Sequence, residues 1–142
     1  TRRNSQVFSR HGAFILGGVI VYTNAETTLY KLTDGKYKRI FIPRVFWDET
    51  KQANTVKSGM TVTDRVSLVI PYDSVGELEL AEGKDFFFKG EIALDVDNSS
   101  EKTQAESLKL LRNLYGAPLS VVSFDKKLFG SKEMWHYEIS LK

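Results

Sequence analysis

His136 and Glu138 are the nearest approach in this chain to a catalytic pair. Two residues apart on an extended segment, an imidazole and a carboxylate share one strand face and can pass a proton between them. Acid–base chemistry also needs a nucleophile or a substrate cradle, and the spacing places neither. A solvated strand face gives the same His-x-Glu pattern, and that is the preferred reading. Asp95, Asp97 and Asn98 resemble the opening of a calcium loop, but the glycine and closing glutamate of that motif are missing from their positions. Zero cysteines exclude disulfides and thiolate metal sites, and His11 and His136 are too far apart in sequence to suggest a histidine metal centre. The aromatic residues Phe46, Trp47, Phe86, Phe87, Phe88 and Trp135 have the chemistry to stack on single-stranded nucleic-acid bases. The competing reading is that they form core. Lys51 and Lys57 are the basic residues best placed to meet phosphate. A net charge of +2 is too small to imply a nucleic-acid or anionic membrane partner by itself. No catalytic, cofactor-binding or metal-ligating residue is assigned, and the chain reads as non-enzymatic.

The elements that carry these residues are mostly strands. A length of 142 residues suits one domain, and 42% hydrophobic residues suffice for a core. Strands are expected over 27–33 and 37–47, joined by the turn pair Asp34-Gly35. Pro43 cannot donate to a ladder, so the second strand is at an edge or bulged there. Residues 48–64 show no sustained periodicity and read as a long polar loop containing Lys51, Asn54, Lys57, Ser58 and Gly59. Loops of that length in compact domains are commonly functional. Further strands follow over 65–72, 85–94, 119–125 and 134–141. In the last of these Trp135, Tyr137, Ile139 and Leu141 alternate with His136, Glu138 and Ser140. One helix is expected over 99–115, capped by Ser99 or Ser100 and stopped by Gly116 and Pro118. Strands and helices do not alternate, which argues against a doubly wound sheet. The expected fold is mainly β (α+β): a small twisted antiparallel sheet or partly closed β-barrel, with one helix packed on it at about 100–115. The hairpin over 27–47 and the C-terminal strand are the expected edges.

The most apolar run, Ala13–Val21, is too short to span a bilayer, and no membrane partner is expected. It follows Arg2, Arg3 and Arg10 but lacks the small-residue cleavage site of a signal peptide. Residues 1–20 read either as an N-terminal arm that docks on a neighbouring subunit or as mistranslated upstream DNA. For the second alternative, Val21 corresponds to a GTG start, and Gly17-Gly18 to codons resembling a ribosome-binding sequence. Residues 21–142 form the single β-rich domain.

Ordered motifs run through that domain: Thr23-Asn24-Ala25-Glu26, Thr28-Leu29-Tyr30, Phe46-Trp47, Asn54 with Lys57-Ser58-Gly59, Ile70-Pro71, Lys89-Gly90, and Phe129-Gly130-Ser131 with Trp135-His136. In order and spacing they resemble a family of small uncharacterised proteins coded among the head and neck genes of tailed phages (siphophages and prophages). The resemblance implies a structural virion protein at the head–tail junction, similar to head-completion or stopper connectors. It implies a homo-oligomeric ring that joins the portal or adaptor to the tail proteins, contacts packaged DNA in the channel and helps retain it. Assembly would take place in the cytoplasm of the bacterial host. Lys51, Asn54, Lys57, Ser58 and Gly59 would form the channel or docking loop, and Phe46, Trp47, Trp135 and His136 an interface. The alternatives are a tail-completion or terminator ring and, from another class, a single-stranded nucleic-acid-binding barrel.

Overall fold

A computed structural model describes the backbone of residues 13–16, 19–56 and 59–142 and the side chains of 23–49 and 65–142. A short antiparallel hairpin, β1 (Ala13–Leu16) with β2 (Val19–Tyr22), precedes the main body. Six antiparallel strands then close into a barrel: β3 (Ala25–Thr33), β4 (Lys36–Val56), β5 (Gly59–Pro71), β6 (Phe86–Lys89), β7 (Leu119–Lys127) and β8 (His136–Leu141). Their order around the wall is β3-β4-β5-β8-β7-β6, with β6 paired back onto β3. A single turn, α1 (Tyr72–Val75), ends β5, and α2 (Glu101–Tyr115) is the main helix.

Local chemistry explains the turns. Asp34 and Gly35 take positive φ values of 52° and 76°, as a two-residue hairpin of the right twist requires. Ser100 caps α2: its hydroxyl accepts from the Thr103 backbone N–H, and the Thr103 hydroxyl accepts from the Ser100 backbone N–H.

Two apolar layers hold the fold. Inside the barrel, Leu29, Ile42, Val45, Trp47, Leu68, Ile70, Phe87, Tyr137, Ile139 and Leu141 pack together. Outside it, Tyr30, Phe86, Phe88, Ile92, Val96 and Leu111 join the outer face of β3 and β6 to α2. The Phe86-Phe87-Phe88 run is therefore buried on both faces of one strand. Each large side chain so buried contributes about 1.5–3 kcal/mol.

Three expectations are corrected. Residues 48–64 are not an irregular loop: β4 and β5 pair continuously from Phe46↔Val69 to Val56↔Gly59, forming a two-stranded hairpin. The third strand stops early, because β8 pairs with β5 only up to Val66↔Leu141. Past that point, among the described residues, no third strand continues the wall, and the polar sequence there lacks the alternation that would mark strands. The strand expected over 85–94 ends at Lys89. Gly90, at φ 91°, turns the chain, and Ile92 and Val96 then run across the outer face with their side chains buried. The C-terminal strand is not an edge; β8 lies between β5 and β7.

Candidate functional site

β4 changes partner half-way along. Up to Val45 it pairs with β3, and from Phe46 with β5. The strand direction adjusts at a bulge between Ala25 and Thr27, opposite Pro43 and Arg44. At the handover, Asn24 acts as a piece of strand. Its Oδ1 accepts from the Trp47 backbone N–H at 2.7 Å, and its Nδ2 donates to the Trp47 carbonyl at 3.0 Å. The Asn24 backbone N–H donates to the Val45 carbonyl at 2.9 Å. The Trp47 ring is buried in the barrel interior, and its Nε1 donates to Glu49 at 2.9 Å. Lys89 lies 5.8 Å from the ring centroid and 3.8 Å from Glu49. The rim of the barrel thus carries a tryptophan shielded by a cation and a carboxylate.

From this rim the hairpin of β4 and β5 departs. Lys51 pairs with Asp64 and Asn54 with Thr61 in its ladder, and Gly59 opens β5 opposite Val56. Lys57 and Ser58 lie outside the described residues. The backbone therefore gathers Lys51, Asn54 and Gly59 on one hairpin of paired strands.

Of the expected interface residues, Phe46 and His136 share the outer face of the β4-β5-β8 wall. Phe46 is opposite Val69, which is opposite Glu138, and His136 is two residues before Glu138 on the same face. Trp47 has the opposite parity and points inward. Trp135 precedes β8; its carbonyl accepts from Tyr72 N–H at 2.9 Å, and its ring meets Tyr72 edge-on at 5.3 Å. His136 is only 6% exposed although it faces outward, and β1 lies against the single 3-10 turn Lys132–Met134 just before it. Its Nδ1 is 2.8 Å from the Met134 carbonyl, which can only accept, so the ring donates there. Its Nε2 is 2.9 Å from Glu138 Oε2. The His-x-Glu pair is thus in contact, at one seam of the wall.

The acidic run at 95–98 has other duties. Arg39 Nε donates to Asp95 at 2.6 Å. Asp97 accepts from both the hydroxyl and the backbone N–H of Ser99, which hold its carboxyl below the usual carboxylate range. Asn98 exchanges two hydrogen bonds, each of 2.9 Å, with the backbone of Tyr37. Among the described residues no three His, Cys, Asp or Glu side chains converge as a metal site. Phe86, Phe87, Phe88 and Trp47 are at most 8% exposed, which removes them as stacking platforms for bases.

Sequence reasoning missed the strand-edge roles of Asn24 and Asn98, which it read only as a motif residue and as part of a calcium-like loop, and it missed Asp85. Asp85 is fully buried; it accepts from Leu32 N–H at 2.8 Å and Ala81 N–H at 2.7 Å, with Lys31 Nζ at 3.5 Å. The only available signal was the position of Asn24 inside the Thr-Asn-Ala motif.

Residues 22–142 match the model of a family of unknown function, DUF6751. No curated protein and no solved structure matches the chain.

Proposed function

Because this chain belongs to DUF6751, a family of unknown function, its role has to be read from its architecture, and we propose that it is a non-enzymatic structural protein of the tailed-phage head–tail junction. In this reading it forms a ring of identical subunits between the portal or adaptor and the tail, and it helps retain packaged DNA. The observation that carries the reading is the pairing of a small closed barrel with a two-stranded hairpin that continues beyond the wall. A barrel supplies a rigid ring segment, and the hairpin supplies an element that can reach a neighbour or a channel. In this reading Lys51, on the hairpin, and Lys57, outside the described residues, would meet DNA or an acidic neighbour. Phe46, on the outer wall, would face the adjoining subunit, whereas His136 is buried at 6% exposure. Fold alone does not carry function, and the support for this role is the order of motifs together with the barrel-and-hairpin layout.

The test begins with mass spectrometry of purified particles and antibody labelling to locate the protein. Residues 51–64 are then replaced by Asn-Gly, which joins Thr50 to Arg65 where they pair. The variant should keep the thermal unfolding of the barrel and yield particles that leak DNA or lack tails. Filled heads with abnormal tails would point instead to a terminator ring. Absence of the protein from particles, or normal infectious particles from the variant, would overturn the proposal.

A further inference from the structure

β5 leaves the wall at Pro71 and turns into α1, so among the described residues no strand continues alongside the first half of β4. Asn98 reveals how the backbone of β4 faces there. Both its hydrogen bonds go to Tyr37, so the Tyr37 N–H and C=O point away from β3. The β3–β4 register runs unbroken from Thr33↔Lys36 to Thr27↔Ile42. Alternate residues of an antiparallel strand point their backbone groups the same way, so those of Arg39 and Phe41 also face outward. At the far end Pro43 has no N–H, and the Arg44 carbonyl accepts from the Ser74 hydroxyl at 2.7 Å. The fold therefore occupies the outward groups at both ends of this edge. Between them, the N–H and C=O of Arg39 and Phe41 have no partner among the described residues.

Beside this edge lies an open groove of about 660 Å³ whose lining includes Lys31, Lys36, Lys38 and Arg39. Arg39 is paired with Asp95, and Lys31 with Asp85. Lys36 and Lys38 have no carboxylate partner among the described residues.

We propose that the edge of β4 at Arg39–Phe41 is a docking site for an extended acidic segment of another polypeptide, which adds to the barrel as a strand. Alternating donors and acceptors fit a peptide backbone; a phosphate backbone offers no donor to the two carbonyls. The lysine row and Pro43 repel a second copy of the same edge, as guarded edges do. They attract a strand of opposite charge, and that complementarity fixes the occupant. The inference is independent of any role in a virion.

The probe is a fluorescein-labelled peptide alternating Glu and Val, titrated against the full chain and followed by polarisation. Comparison peptides replace Glu by Lys or place proline at the centre, and a single-stranded oligonucleotide matches the charge. The Glu-Val peptide should bind and slow amide exchange at Arg39 and Phe41, which should exchange quickly in the free chain. Lys36→Glu with Lys38→Glu, both at exposed positions, should weaken binding by about tenfold, the effect of two rim charges. The same variant should gain affinity for the Lys-Val peptide. Failure of the Glu-Val peptide to bind would overturn the proposal, as would slow exchange at Arg39 and Phe41 in the free chain. Equal binding of the proline peptide would reduce the site to charge alone and overturn it. Equal binding of the oligonucleotide would reassign the groove to nucleic acid.

Discussion

Asn24→Ala tests whether the two motifs Thr23-Asn24-Ala25 and Phe46-Trp47 are one physical unit. The substitution deletes the acceptor at 2.7 Å from Trp47 N–H and the donor at 3.0 Å from Trp47 C=O. It leaves both backbone groups in a half-buried place, where neither β3 nor β5 can take them. Two net hydrogen bonds at about 0.5–1.5 kcal/mol each give a loss of about 1–3 kcal/mol. For a chain of this size that lowers Tm by about 2–4 °C per kcal/mol, or about 4–8 °C for a loss of 2 kcal/mol. Asn24→Asp keeps the acceptor but sets a carboxylate beside the Trp47 carbonyl, so it should be no better than the alanine. Urea titration followed by tryptophan emission measures both, and the Trp47 signal should shift toward that of exposed indole before Trp135 changes. A loss below about 0.5 kcal/mol, the range of ordinary surface substitutions, would refute the idea that the amide stands in for a strand. So would an aspartate variant as stable as the parent.

Tyr30 predicts alkaline sensitivity. Burial pushes its hydroxyl from 10.0 up to about 12. The folded pKa lies above the unfolded one, so the contribution is fully present below pH 10.0 and is lost as pH rises through about 12. Two pKa units correspond to about 2–3 kcal/mol, and Tyr30→Phe should flatten stability across that window in chemical denaturation. Asp85→Ala leaves two backbone N–H groups unpaired, those of Leu32 and Ala81. It should cost about 2–5 kcal/mol in urea titration, whereas Asp85→Asn, which retains an acceptor, should cost less.

What could be read in the sequence follows from burial on one face. The alternation at 135–141 and the helical spacing of Leu108 and Leu111 mark elements with one wet and one dry side, and both are where they were expected. The hairpin at 48–64 escaped because, among the described residues, its strands have no third strand beside them past Val66. Asn24 and Asn98 escaped for a different reason: each pairs with a residue distant in sequence, 23 positions away for Asn24 and 61 for Asn98. An asparagine in a polar segment looks like a turn until the fold brings a strand edge to it. Trp47 and Phe46 were grouped as one interface, yet adjacent strand residues must face opposite ways, and only Phe46 is on the outer wall.

β4 runs for 21 residues, from Lys36 to Val56. At about 3.3 Å per residue its contour is about 65–70 Å, held by β3 over one half and by β5 over the other, with a bulge between. Paired ladders resist stretching, so a push on the hairpin cannot be absorbed there by slack chain. It arrives as torque where the strand changes partner, with Asn24 serving as the rivet and the bulge opposite Pro43 as the fulcrum. The other arm of that lever bears Arg39 and Phe41. A single strand thus carries both the hairpin and the open edge.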